Sequence, residues 1–473
     1  MSPPVRDVGV REVVMRDVVV IGAGPAGMAA AVLLADQGAD VLLLDEQPTP
    51  GGQIYRGIEQ ATDDRVGLLG PDYARGAMQA AAFRASNAAY RPDSAVWQVT
   101  PEKEVWVTSA GRSELINAKA IIVATGALER PVPVPGWTLP GVMTAGAVQI
   151  ALKTSGLVPE GLVLAGSGPL LYVLAAQCIA AGAEPAALID TTSLANQRAA
   201  LRHLPALAGR EARAMLWKGL ALKAKIRRAG IPSFSHAHDL RIEGEDKAER
   251  ISFMSGGKRR SLSARIIALH EGVIPHQQMT RALGCAHEWD AAQRCFRPLL
   301  NKWGATDLQG IYVAGDGGGI GGALAAEHDG RLAALAVLCE LGRISAQARD
   351  AQAALHVKAK AEMLALRPFL DALYAPRAEI LQPADDVLVC RCEEVTAGQI
   401  RAAARQGAQG PNQAKAFLRA GMGPCQGRVC GPVVTEIMSG ALGRPPDEIG
   451  YYRIRPPLKP ITIGELAAME NEE

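Results

Sequence analysis

The chain has 473 residues, with 50 lysines and arginines against 48 acidic residues for a net charge of +2, and 8 cysteines. That length exceeds what one hydrophobic core supports and implies two or three domains. The near-balanced charge gives no electrostatic reason to expect nucleic acid, and no apolar run approaches the about 20 residues of a membrane span, so no transmembrane segment is expected.

Residues 1–14 lack the apolar stretch of a signal peptide and read as a flexible extension, which points to the cytoplasm. A strand is expected at Asp17–Ile21, followed by Gly22-Ala23-Gly24-Pro25-Ala26-Gly27 and an Ala-rich helix. In such a strand-turn-helix unit Gly22 permits the tight turn, Gly24 lets backbone N–H groups approach a pyrophosphate, and Gly27 lets helix and strand pack closely. A second strand, Val41–Leu44, ends at Asp45, placed to bind a ribose hydroxyl, with Glu46 as the alternative. This fingerprint alone does not tell FAD from NAD.

Pro50-Gly51-Gly52-Gln53 follows, and resembles the glycine pair that lies along the FAD phosphates in glutathione-reductase-like flavoproteins. Ile122-Val123-Ala124-Thr125-Gly126 reads as the strand end that carries the chain out of an FAD domain. Next comes a second strand-turn-helix, with a strand at Gly161–Leu164 and the turn Gly166-Ser167-Gly168-Pro169-Leu170-Leu171. There Leu171 replaces the third glycine, which crowds helix–strand packing, while Asp190 ends the following strand. Gly166, Gly168 and Asp190 are thus candidates for a second nucleotide, ATP or NAD(P). A structurally bound adenine nucleotide, a working NAD(P) site and an empty vestige all stand open. The basic residues from Arg198 to Arg228 read as a solvated helical insertion.

Far downstream, Gly310-Ile311-Tyr312-Val313-Ala314-Gly315-Asp316 is similar to the second FAD motif of that fold, a buried strand delivering an aspartate. Four motifs in this order point to FAD, with Gly22, Gly24, Pro25, Ala26, Gly27, Asp45, Glu46, Gly52, Gln53, Thr125, Gly126, Gly315 and Asp316 as its binding residues. Gly317 to Gly322 then leads into a helix expected at Leu324–Leu341, whose N-terminus suits a negative reduced flavin. Ser345–Leu373 reads as a helical linker, and Pro376–Pro383 as a boundary.

Beyond it, Cys390 and Cys392 stand in CRC and Cys425 and Cys430 in GPCQGRVCGP, so half of the cysteines form two tight pairs. Clustered thiols select soft metals. Zinc and iron–sulfur both accept four thiolates, and the C-x-C and C-x4-C spacings suit neither a zinc knuckle nor a plant-type ferredoxin. The spacing resembles the [2Fe–2S] domain of bacterioferritin-associated ferredoxin, which ends in C-x2-C where this chain has C-x4-C. Thr396 and Gln399 form a capping-box pattern for a helix after CRC, and Gly410–Asn412 breaks the chain before a second short helix. Cys178, Cys285, Cys295 and Cys339 are scattered and read as small hydrophobes.

The resulting fold class is α/β, a two-dinucleotide-binding-domain flavoprotein of the glutathione-reductase type with a small C-terminal helical [2Fe–2S] domain. The expected division is an extension at 1–14, FAD-binding parts at 15–145 and 291–345, a second nucleotide-binding-like domain at 146–290, a helical linker at 346–384, the cluster domain at 385–455 and a tail at 456–473. No redox cysteine pair precedes Cys178, which disfavours disulfide reduction, and no metalloprotease, serine-hydrolase or Walker motif is found. His270, His276 and His328 lie near expected flavin-side segments and read as packing or surface residues. No catalytic residue is identified.

The ordered set GAGPAG, PGGQIYRG, ATGALERPVPVPGWTLPGVMTAGA, AGSGPLLYVLA, LHEGVIPHQQ, GIYVAGDGGGIGGA, CRCEEVT and AGMGPCQGRVCGP resembles the alpha subunits of bacterial opine (octopine/nopaline) oxidases. The second chain of hydrogen cyanide synthase and the alpha subunits of dye-linked proline and hydroxyproline dehydrogenases are related. The resemblance implies an FAD and [2Fe–2S] electron-transfer subunit of a multi-subunit dehydrogenase acting on a C–N bond. The substrate would be oxidised at the flavin of a beta subunit of the D-amino-acid-oxidase type. An external electron acceptor and a small iron–sulfur gamma subunit complete the implied assembly. The alternative is a self-sufficient NAD(P)H-dependent reductase passing electrons through its cluster to a ferredoxin-like acceptor.

Overall fold

The computed structural model describes residues 15–205 and 209–469. The expected extension lies outside these residues, as does the end of the expected tail. Val18 to Ile21 are all buried, as a central strand covered on both faces must be. That strand, Met15–Ile21, pairs in parallel with Val41–Leu44 on one side and with the long strand Arg112–Val123 on the other. The long strand does two jobs. Its first half pairs antiparallel with Glu104–Ser109, and its last residues also take Ile311–Val313 in parallel. The second motif strand is thereby delivered from far downstream in the chain to the sheet that carries the first motif.

A second sheet, all parallel, runs in the order Ser233–Phe234, Ala187–Asp190, Val163–Ser167, Ile267–Glu271, Val142–Thr144. Its central strand begins at Val163 and runs to Ser167, later than the expected Gly161–Leu164, because Gly161 adopts a turn conformation. Val142–Thr144 belongs to this sheet although it falls within the residues expected for the first domain. The hairpin His287–Asp290 with Cys295–Pro298 likewise spans the expected boundary at 290. Between the sheets, Ala127–Glu129 pairs with Val273–Pro275, so the outgoing and returning chains brace each other.

The helix after the second motif runs Ala323–Glu340 and lies so close to the helix Pro25–Asp36 that a Cβ on Gly330 would come within 2.0 Å of the Ala26 carbonyl oxygen. Helices Ala346–Leu364 and Arg367–Leu373 form the linker. In the C-terminal region the Thr396/Gln399 capping box starts the helix Ala397–Arg405, and Pro411–Leu418 follows the break at Gly410. The insertion helices Leu194–Leu201 and Arg210–Arg228 are largely exposed. Among the described residues no helix is long and apolar enough to cross a membrane.

The cysteine region is not an appendage. Val389, Val433, Val434 and Ile437 pack in one apolar cluster with Val19, Leu42, Val105 and Ile121 of the first sheet. Arg294 donates to both carboxylate oxygens of the buried Glu436 (2.9 and 2.5 Å), and the Trp137 indole donates to the Leu388 carbonyl at 2.7 Å. The chain after 455 returns to the first domain, where Leu458 N donates to the Trp97 carbonyl at 2.7 Å.

Close approach makes opposite predictions for two helical glycines. A Cβ on Gly27 would sit 1.8 Å from the Gly22 carbonyl oxygen, so Gly27→Ala is expected to lower stability by about 1–3 kcal/mol. Gly219, with nothing within 4 Å of its Cβ position, should gain about 0.4–1 kcal/mol as alanine. Urea denaturation of the two variants beside the parent protein checks both signs.

Candidate redox centres

The first centre is a cradle of backbone. Gly22, at φ 107°, has no room for a side chain, because a Cβ there would be 2.5 Å from the Ala124 carbonyl oxygen. Gly52 faces Gly24 so tightly that its Cβ would stand 2.8 Å from the Gly24 Cα, and Gly51 N donates to the Ala23 carbonyl at 2.8 Å. The loop is thus tied against the turn. Pro25 opens the helix, and Gly24 at its N-cap offers no side chain to the free N–H groups. Uncapped donors in a site where Gly22 and Gly52 leave no room for a side chain fit the phosphates of a dinucleotide.

Asp45 accepts from Ala23 N at 2.5 Å and Gln47 N at 2.8 Å, which aims its carboxylate along the turn; burial raises its pKa above the usual carboxylate value. Glu46 turns away and pairs with Lys459 at 2.9 Å. Asp316 accepts from the N–H groups of both Gly321 and Gly322 at 2.8 Å, while a Cβ on Gly315 would lie 3.0 Å from that of Ala26. The second motif therefore touches the first. Gln53 presents its carbonyl to Lys153, and Arg56 is half-buried with its Nε unpartnered. Neither cation was singled out from sequence; Arg56 stands within the PGGQIYRG motif, but Lys153 carries no motif signal.

The second turn is differently furnished. A Cβ on Gly166 would reach 1.8 Å from the His270 carbonyl oxygen, and Gly168 faces the His270 ring. His270 itself is buried and its Nδ1 lies 2.7 Å from a Glu129 carboxylate oxygen, a packed and hydrogen-bonded histidine. Leu171 is fully buried where a third glycine would stand. The Asp190 carboxylate already accepts from the Tyr172 hydroxyl at 2.5 Å and Thr192 N at 2.9 Å. The linker also reaches this turn: Arg377 donates at 2.9 Å to Glu271, whose other partners are the Ser167 and Thr191 hydroxyls.

The four clustered thiols come together as the third element. Cys430 is within hydrogen-bonding reach of Cys390 and Cys425, and Cys425 of Cys392. Hydrogen bonding from Cys430 holds Cys390 down at about 6 and lowers Cys425, whereas Cys430 itself is raised. The four thiols are thus linked in one set, Cys390 to Cys430 to Cys425 to Cys392, a donor set suited to a two-iron cluster. Gly421 N donates to Cys390 Sγ at 3.5 Å, and a Cβ on Gly423 would be 2.2 Å from that of Cys392. Gly421 and Gly427 embrace the Tyr452 ring. Cys392 is exposed, and Phe417 and Met422 nearby in the chain are exposed apolar residues.

One segment touches both centres. His276 N donates to the Gly126 carbonyl at 2.9 Å, and two residues on Gln278 Nε2 donates to the Gln426 carbonyl at 2.7 Å, beside Cys425. Burial, with the Arg428 charge, lowers His276 to about 4, so it is neutral at physiological pH.

The family described as pyridine nucleotide-disulphide oxidoreductase matches residues 16–330, and the BFD-like [2Fe-2S] binding domain matches residues 388–439. The opine oxidase A subunit of Rhizobium meliloti is 47% identical over 95% of this chain and 98% of its own. The hydrogen cyanide synthase subunit HcnB of Pseudomonas aeruginosa is 32% identical over 96% of this chain and 99% of its own. Among solved structures, the L-proline dehydrogenase of P. horikoshii shares the fold at a TM-score of 0.71 and 19% identity, covering 96% of this chain and 80% of that one. The cofactors are FAD and a [2Fe–2S] cluster.

Separate cradles predict separable losses. Gly52→Val, which places a side chain against Gly24, is expected to abolish FAD binding with iron retained. Cys390→Ser should lose the iron with FAD retained. Flavin absorbance and iron content of the two purified variants check this, and joint loss of both cofactors in each would contradict it.

Proposed function

The chain belongs to the family of the opine oxidase A subunits, oxidoreductase subunits that carry electrons, and we propose that it serves a dehydrogenase oxidising the C–N bond of an opine or related secondary amine or amino acid. In this reading the substrate is oxidised at the flavin of a beta subunit of the D-amino-acid-oxidase type. An external acceptor and a small iron–sulfur gamma subunit complete the cytoplasmic complex. The whole-length identity to the opine oxidase A subunits supports the assembly and the substrate class.

The observation that carries the electron-transfer role is the Gln278 to Gln426 hydrogen bond, which joins the segment at the first sheet's strand end to the cysteine loop. When bound, FAD stores an electron pair and the cluster passes electrons singly. The chain's own residues hold and orient these groups. Gly22, Gly24, Pro25, Ala26, Gly27 and Gly52 would cradle the pyrophosphate, and Asp45 would take a ribose hydroxyl. Gln53, Thr125, Gly126, Gly315 and Asp316 would line the flavin side. Glu46, paired with Lys459, is left out of this set. Cys390, Cys392, Cys425 and Cys430 would hold the cluster, with exposed Cys392 marking the side where an acceptor docks. Asp190, engaged by Tyr172, argues against NAD(P)H as the electron source.

The test is anaerobic spectroscopy of the chain co-expressed with its neighbouring subunits. A panel of opines is expected to bleach the flavin and raise a rhombic S = 1/2 signal that is absent from Cys390→Ser. Reduction by NADH but by no amine would overturn the proposal.

A further inference from the structure

Lys153, from the helix Ala145–Ser155, is only 4% exposed, yet both of its hydrogen-bond acceptors are neutral amide oxygens: the Gln53 carbonyl at 3.0 Å and Gln149 Oε1 at 2.9 Å. Gln149 donates in turn to Gln177 Oε1 at 2.9 Å, and Gln177 to the Leu69 carbonyl at 3.0 Å, so the amine heads a chain of uncharged amides. The groups facing it from neighbouring elements are no better matched to a cation. Arg56 lies on the loop after Gln53, the Arg65 guanidinium donates to the Lys153 and Thr154 carbonyls (3.4 and 3.0 Å), and the Tyr73 ring centre is 6.0 Å away. Burial, reinforced by the Arg56 charge, lowers this lysine to about 7.

A buried amine without a carboxylate is costly when charged unless an anion arrives beside it. Its anchor, Gln53, follows the Gly51-Gly52 pair packed on the phosphate turn. We propose that Lys153 is a redox-linked proton site for the flavin, neutral beside oxidised FAD and protonated when FAD holds its electron pair as an anion. This rests on the placement of FAD along Gly51–Gln53 proposed above. The electron pair comes from the oxidised amine. One proton goes to the flavin, and a second, from solvent, goes to the lysine lone pair with no bond broken.

The test is proton uptake, read with an indicator dye and corrected for the protons that the sacrificial electron donor releases on oxidation, during anaerobic photoreduction of the FAD-loaded protein at pH 8. The parent protein is expected to take up one proton more per FAD than Lys153→Arg, whose side chain stays charged throughout; any uptake by the cluster cancels in the difference. The parent alone also decides, because uptake of no more than one proton per FAD at this pH would overturn the proposal even if the arginine variant failed to fold. Equal uptake in parent and variant would overturn it as well. Uptake on binding oxidised FAD to the apoprotein, with none added on reduction, would mark Lys153 as a partner of the pyrophosphate and would equally overturn it. Failure of the FAD placement itself is read separately, as normal FAD binding by Gly52→Val.

Discussion

The cysteine domain is packed into the same apolar core as the flavin sheet, and the geometry of the redox centres depends on that shared packing. Ile437 and Val434 on one side and Val19 and Ile121 on the other belong to one cluster, and the buried Glu436 is clamped by Arg294. A domain hung on a loose linker would let the distance between carriers fluctuate. Here Trp137 holds the strand that enters the cysteine pair, Gln278 holds the loop carrying the second pair, and Leu458 returns the chain to the first sheet. Electron transfer between carriers held at a fixed separation needs no domain motion, and this packing supplies the fixity.

The same constraint explains the glycine pattern. Gly22, Gly27, Gly52, Gly315 and Gly330 each stand where a Cβ would meet another part of the chain within about van der Waals distance or far less, so backbone approaches backbone around one cradle. At the cysteines, Gly421, Gly423 and Gly427 do likewise around Cys392 and Tyr452. These approaches exclude side chains that would compete for the same space.

Much of this was legible because each motif is a local rule. Four alternating strand and glycine signals located the first cradle, and Thr396 with Gln399 marked a helix start that the structure reproduces as a capping box. What was not legible depends on residues that meet only in three dimensions. Tyr172 claims the Asp190 carboxylate from across its own strand-turn-helix, Arg377 of the linker lies on the second turn, and Glu46 is drawn off by Lys459 from the far end of the chain. Val142–Thr144, too short for a pattern of its own, joined the second sheet by pairing with Ile267–Leu269. Lys153 looked like any helical lysine until its burial against Gln53 was seen.

Conduction within one chain, between its own two centres, is tested by flash photoreduction of the FAD in the purified chain while the cluster absorbance is followed. The packing predicts that cluster reduction follows flavin oxidation at a rate independent of protein concentration. A rate that rises in proportion to protein concentration would show electrons moving between molecules, and would contradict the account.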